Sequence, residues 1–400
     1  MKKEKKLESN IWKFYLYKII FGIFFSVPII VLFWQKNGLS MTEIMILQSV
    51  YSLIAVFLEI PTGYFADVFG RKKSLVYGGA LYALAIASYS ISSSFSHFLV
   101  AEIIFAFSLS LVSGTDSAFV YDTLKDLKKE HKYKKIWGNA YFYSLMAMAV
   151  SNAIGGFIGK IDFRLTFYVT VPFILMLIPI SLSFKEPKRH KLIFEKGYIW
   201  KLFEIIKLTF TKNKKLKWLI IYSGIIFGFN QSVLWLYQPY FQLSGLDIIH
   251  FGFIFASFQI VAALSSKYAH KLEKMLGETF SLAMLIFLTG TSFLLMGNFV
   301  YLFSFSFAFL QQFVRGFKSI IVSDYINKLT DSSIRATVLS THSLISRLFY
   351  AMIVPIIGFV ADVYSITQAL TVLGITSLVF GVTALIIFLK TKSVSVKVKI

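Results

Sequence analysis

Cysteine is absent from the 400 residues, which excludes disulfides, thiol nucleophiles and thiolate-bound metals. Acidic residues are scarce: 20 Asp and Glu stand against 41 Lys and Arg, for a net charge of +21. Charged side chains make up 15% of the chain, too few to coat a soluble domain of this size. The six His, at 97, 131, 190, 250, 270 and 342, lack metal-ligand spacing, and no Gly-Lys-Ser/Thr sequence cradles a phosphate. No metal, cofactor, direct ATP drive or enzymatic activity is therefore expected. No paired motif for an intramembrane hydrolase stands in the sequence either.

What is abundant is apolar. The chain is 56% hydrophobic and 18% aromatic, with mean hydropathy +0.70, which places it in the membrane class. A helix needs roughly 20 apolar residues to cross the hydrocarbon core. Twelve stretches meet that need, at about 14–34, 43–66, 74–95, 98–122, 137–159, 165–184, 218–242, 249–270, 279–297, 299–325, 337–361 and 366–389. The one long polar interval, 185–217, divides them six and six, predicting bundles over 1–184 and 218–400 joined by a central loop. Ile199, Trp200, Phe203, Ile206 and Phe210 recur there at helical spacing, as expected of an amphipathic helix on the membrane surface; a plain solvated linker is the alternative.

The basic excess follows the same plan. Lys36, Lys160 and Arg164 lie in alternate loops, and Lys18, Arg315, Lys318 and Arg347 lie inside spans. All other Lys and Arg fall in the terminal arms and every second loop, which by the positive-inside rule predicts both termini in the cytoplasm. The charge therefore reads as topology and attraction to anionic lipid, with no nucleic-acid partner expected. Met1-Lys-Lys-Glu-Lys-Lys precedes an apolar run of full spanning length, so a retained first helix is expected.

The halves repeat. A shift of 202 carries Val112, Gly114, Ser117, Val120 and Asp122 onto Val314, Gly316, Ser319, Val322 and Asp324. A shift of 206 carries Phe21-Gly22 and Ser26-Val27 onto Phe227-Gly228 and Ser232-Val233. Duplication of this kind predicts two parallel bundles facing one another across a central cavity. The most polar point between residues 40 and 120 is Gly63-Tyr-Phe-Ala-Asp67-Val-Phe-Gly70-Arg71-Lys72-Lys73, where Gly63 is expected to allow close helix approach and Gly70 a tight reversal.

That stretch resembles the loop 2–3 signature of the major facilitator superfamily, matched by Gly63, Asp67, Gly70, Arg71, Lys72 and Lys73, with Val68 where a cation is usual. Glu59-Ile-Pro61-Thr62 and Ser113-Gly114-Thr-Asp116-Ser117-Ala118 with Tyr121-Asp122 are similar to a drug-efflux-like branch. Ser151-Asn152 stand where proton-driven exporters of the family often carry Gly-Pro. The resemblance implies an all-α integral membrane fold of twelve transmembrane helices in two pseudo-symmetric six-helix bundles. It further implies that Asp67 latches the cytoplasmic mouth against the start of the eleventh helix, around Arg335, Thr337 and Ser340. A helix N-terminus carries about half a positive charge and unpaired N–H groups. Arg71 is expected to meet Asp122.

Charges inside spans cost at least ~2.5–3.5 kcal/mol each on insertion scales and so default to function. Arg347 lies ten residues past Thr337, roughly 15 Å deep, and Glu59 eight before Asp67, roughly 12 Å deep. The resemblance places their helices together, as a structural lock or as a substrate or proton site. Asp116 and Lys318 are repeat equivalents, with Arg315 one turn from Lys318. Asp116 either closes the inner mouth against them or carries a coupling proton, and Glu102 is the second proton candidate. Gln231, Trp235, Gln238 and Gln242, spaced four, three and four, form a stripe suited either to ligand binding or to interhelical hydrogen bonds. The function expected is secondary active transport by alternating access: proton-coupled efflux of a small amphiphilic or cationic, drug-like compound by a monomer in the plasma (inner) membrane. Proton-linked transport of a sugar or amino acid is the alternative, and a non-transporting receptor or scaffold a third.

Overall fold

The computed structural model describes residues 2–188, 213–331 and 334–391; the expected amphipathic segment at 199–210 lies outside them. Every regular element among the described residues is helical. In chain order these are α1 (Lys2–Gly22), α2 (Ile30–Lys36), α3 (Met41–Phe69), α4 (Arg71–Ile91), α5 (Phe95–Val112), α6 (Thr115–Asp126), α7 (Tyr133–Ile161), α8 (Phe163–Leu175) and α9 (Leu177–Leu182). They continue as α10 (Lys214–Ser232), α11 (Tyr237–Leu243), α12 (Ile248–Asn298), α13 (Ala308–Lys328), α14 (Arg335–Val363) and α15 (Ile366–Lys390). Among the described residues nine helical stretches are long and apolar enough to cross a membrane. One of them, α12, is two spans joined across Gly277, whose φ of 77° only glycine adopts freely. The broken first span and the segment 302–328 complete twelve.

The chain divides into two units, one of Met1–Leu39, Val50–Ile193 and Asp247–Ser257, the other of Ser40–Ser49, Phe194–Leu246 and Phe258–Ile400. In the first unit α4 packs on α5 and α8, and α1 on α7; in the second α10 packs on α14 and α15. Hydrocarbon offers no partner for a free N–H or C=O, so these helices retain their internal hydrogen bonds and approach through small residues. A Cβ on Gly78 would come within 2.6 Å of Val112, and one on Gly316 would overlap the Ala262 carbonyl.

Three spans expected to be continuous are broken instead. The first is unwound over 23–29, around Pro28, where proline removes a donor. Neighbouring helices satisfy the freed amides: Ser151 Oγ accepts from Phe24 N at 3.2 Å and Thr170 Oγ1 from Phe25 N at 3.4 Å. Ser26 and Thr166 hydroxyls meet at 2.8 Å. The repeat-equivalent seventh span breaks over the 3-10 turn Val233–Trp235. The fourth breaks at Ser113-Gly114, where Gly114 takes φ 73°. Gly316, its repeat equivalent, stays inside the unbroken α13, so the two halves have diverged at this point.

Candidate functional site

The break at Gly114 restarts a helix in mid-span and places Asp116 in its first turn. Orphaned N–H groups and the helix dipole make that turn a favourable place for a carboxylate, and Asp116 Oδ1 accepts from Ser117 N at 2.7 Å. Its other oxygen takes a hydrogen bond from Lys18 Nζ of α1 at 3.1 Å, with both side chains 11% exposed. The ammonium also lies 5.2 Å from the Phe21 ring and 5.6 Å from that of Trp137. Two aromatic faces and a carboxylate thus form a desolvated cage around one internal cation. The Tyr17 hydroxyl is buried nearby without a hydrogen-bond partner. Within its own unit Asp116 pairs with Lys18, noted in the sequence as a charge inside a span and given no role, while Lys318 belongs to the other unit. Lys18 directly follows Tyr17 on α1, and nothing in linear spacing relates it to residue 116.

Glu102 of α5 is 3% exposed, and its carboxyl and the buried Tyr89 phenol of α4 are hydrogen-bonding neighbours. Glu59 is exposed on α3, and Arg347 is half-buried on α14. They fall in different units, and each is described on its own helix.

At the signature stretch, Arg71 Nη2 donates to Asp67 Oδ1 at 2.7 Å, and Arg71 Nε lies 3.6 Å from Asp122 Oδ2. Gly70 takes φ 120°, making the reversal between α3 and α4. A carboxylate unforeseen from the sequence caps α4: Glu186 accepts from Arg71 N at 2.9 Å and from Lys72 N at 2.8 Å. The chain entering the central loop is held further by Asn10, whose Oδ1 accepts from Lys185 N at 2.9 Å and whose Nδ2 donates to Lys185 O at 2.8 Å. Gly63 is exposed, and among the described residues a Cβ there would meet nothing within 4 Å, so the expected close approach is not found among them.

The stripe on the seventh span also needs correction. The turn Val233–Trp235 breaks its phase, so the amides do not share one line. Gln238 is buried, Gln231 half-buried and Gln242 exposed. Trp235 Nε1 donates to Tyr350 Oη at 2.7 Å. The polar network of this unit runs instead through two glutamines that spacing on a single helix had not singled out. Asn230 Nδ2 donates to Gln311 Oε1 at 2.8 Å, Gln311 Nε2 to Thr289 O at 2.9 Å, and Gln312 Nε2 to the Tyr237 hydroxyl at 3.2 Å.

At the span ends away from the signature stretch, the repeat produces two related contacts. Asp362, ending α14, caps α3, accepting from Met41 N at 2.8 Å and from Thr42 N at 2.7 Å. Lys160, ending α7, pairs with Asp247 before α12 at 2.7 Å. The shift of 202 carries Lys160 onto Asp362 and that of 206 carries Met41 onto Asp247, so these are repeat equivalents. Asp362→Ala removes an N-cap and is expected to lower stability by about 1 kcal/mol, read as the unfolding midpoint of the purified protein. Lys160, then the Ile249 amide, hold the Asp247 carboxyl below the usual carboxylate range. A depressed native value means this pair's contribution is present above the unfolded value, about 4, and is lost as pH falls through the native one. Melting curves should therefore show a constant offset between wild type and Asp247→Asn from pH 5 to 8, shrinking only in stronger acid.

The described interior thus has interrupted spans, backbone groups satisfied by neighbouring helices, and few buried charges. An uncharacterized MFS-type transporter of Methanocaldococcus jannaschii is 23% identical, covering 94% of this chain and 97% of its own. Quinolone resistance protein NorA of Staphylococcus aureus is 22% identical over 155 residues, 39% of each chain. Among solved structures, nucleoside transporter NupG superposes with TM-score 0.77 at 14% identity over 98% of this chain and 100% of its own. Peptide transporter POT in complex with sulfate superposes with TM-score 0.73 at 15% identity over 96% and 94%. The major facilitator superfamily model matches residues 19–307, and this chain, an all-helical membrane protein with that fold, belongs to the Major Facilitator Superfamily.

Proposed function

We propose that this protein is a proton-coupled secondary transporter that exports a small amphiphilic compound by alternating access. On this reading it works as a monomer in the plasma (inner) membrane, with both termini cytoplasmic and its basic loops against anionic lipid. The observation that carries it is the Lys18–Asp116 pair, held beside a break in the fourth span. A proton added to Asp116 cancels the attraction to Lys18, frees the ammonium to move, and loosens α1 from α6. Discontinuous spans are where transporters of this architecture place such coupling sites. Glu102 beside Tyr89 is a second proton station, buried in the same unit. Asp67, Arg71 and Asp122 act as the gate, with Gly63, Gly70 and Lys72 shaping its loop, and Glu59 and Arg347, each a charge inside its own span, serve either as a structural lock or in substrate or proton binding. The partial match to a quinolone resistance protein supports efflux.

Proteoliposomes loaded with a pH-sensitive dye and challenged with a compound panel test this reading. Proton movement evoked by at least one compound is expected, and it should be abolished by Asp116→Asn. Silence on both faces across the panel rejects proton-coupled export. A second reading, proton-linked transport of a polar metabolite, draws on the Asn230–Gln311 and Gln312–Tyr237 hydrogen bonds. It also draws on the nucleoside and peptide transporters that share the fold.

A further inference from the structure

Away from their ends, the spans from residue 218 onward carry cations but no acids. Between residues 218 and 246, 279 and 323, and 334 and 361 there is no Asp or Glu, whereas Arg315, Lys318 and Arg347 all lie there. Lys318 is half-buried on α13, its ammonium 4.7 Å from the centre of the Phe227 ring of α10. Phe227 is the repeat equivalent of Phe21, which underlies Lys18 in the first unit. The two halves thus repeat a lysine over a phenylalanine. Lys18 has Asp116 for a partner, while no carboxylate among the described residues lies within ion-pair distance of Lys318. One turn away, Arg315 Nη2 donates to Gln259 Oε1 at 2.9 Å, holding a second cation on this face. From α14, His342 lies within electrostatic range of Lys318, and its Nε2 is buried without a hydrogen-bond partner.

An ammonium in a low-dielectric interior is stable only where an opposite charge, a ring face or water compensates it, and a second cation nearby worsens the balance. The ring supplies part of the compensation. We infer that the remainder comes from the cargo: the transported compound carries a carboxylate or phosphate group that binds Lys318, with Arg315 and His342 flanking it and Phe227 stacking against its apolar part. This deepens the transporter reading, does not depend on proton coupling, and excludes a purely cationic cargo.

Binding to the purified chain in lipid nanodiscs tests it, with probes at matched ionic strength. The probes are inorganic phosphate, benzoate, 2-naphthoate and phenyl phosphate, set against 2-naphthylmethylamine and 2-naphthylmethanol. At least one anion should stabilise the protein saturably while the amine and the alcohol do not. Lys318→Gln should weaken that response roughly tenfold or more, the scale of one lost charge-assisted contact. Lys318→Arg should keep most of it. Lys328→Gln, at the exposed end of the same helix, should leave it unchanged and so separates local recognition from general surface charge. No response to any anion, stabilisation by the amine alone, or equal anion binding by Lys318→Gln overturns the proposal. Anion binding without proton movement in proteoliposomes would leave it standing and reject proton-coupled export.

Discussion

Asp116→Ala is expected to destabilise the protein by about 2–4 kcal/mol and to abolish proton-driven transport. Breaking a buried pair by removing one partner costs about 3–5 kcal/mol, because the survivor is left charged and desolvated. The survivor here is the Lys18 ammonium, and the Phe21 and Trp137 faces offset ~0.5–2 kcal/mol of that loss. The mirror experiment should be milder. Lys18→Met leaves Asp116 at a helix start, with the Ser117 amide still donating and a proton available to neutralise it. Replacing both residues by apolar ones of similar volume should recover most of the stability, since no charge is then buried. Unfolding of the four proteins in one detergent checks the ordering. If Asp116→Ala and Lys18→Met cost the same, the cage around Lys18 contributes nothing. If the double variant moves protons, Asp116 is not the coupling group.

Gly155→Ala and Gly138→Ala, the same exchange on the same helix, should act in opposite directions. A Cβ on Gly155 would overlap the Phe25 carbonyl oxygen, in the unwound part of the first span. That backbone cannot retreat cheaply, because Ser151, Thr170 and Thr166 hold residues 24–26 by hydrogen bonds. Overpacking of this kind costs about 1–3 kcal/mol, and the upper end is expected where main chain meets main chain. A Cβ on Gly138 would meet nothing within 4 Å, so alanine there gains helix propensity alone, about 0.5–1 kcal/mol. Thermal midpoints of the two variants decide it. A Gly155→Ala protein as stable as wild type would mean that the unwound segment is loosely held.

How much of this was legible in the chain depends on the range over which each feature is encoded. Span count and helical class follow from runs of apolar residues, because a helix satisfies its own backbone and needs only length to cross lipid. Charges inside spans stand out for the same reason: Lys18, Glu102, Asp116, Lys318 and Arg347 are rare exceptions to a strong rule. Gly70 was readable as a reversal, and its φ of 120° is one that glycine tolerates. The stripe through Gln231, Trp235 and Gln238 misled because periodicity assumes an unbroken helix, and one 3-10 turn rotates everything beyond it. Pro28 and Gly114 hinted at breaks, but a proline or glycine in a span is compatible with a continuous helix until a neighbour supplies the missing hydrogen bonds.

The sequence alone determined that this is a helical membrane protein of duplicated design, because hydrophobic length, loop charge and repeat are properties of the linear chain. Tertiary structure decided which charges meet. Asp116 faces Lys18 nearly a hundred residues away, Lys318 faces a ring instead of an acid, and Glu186 caps a helix begun at Arg71. Such pairings depend on how helices rotate and where they unwind. Those are set by small residues and hydroxyls on neighbouring helices, whose effect appears only once the helices are packed.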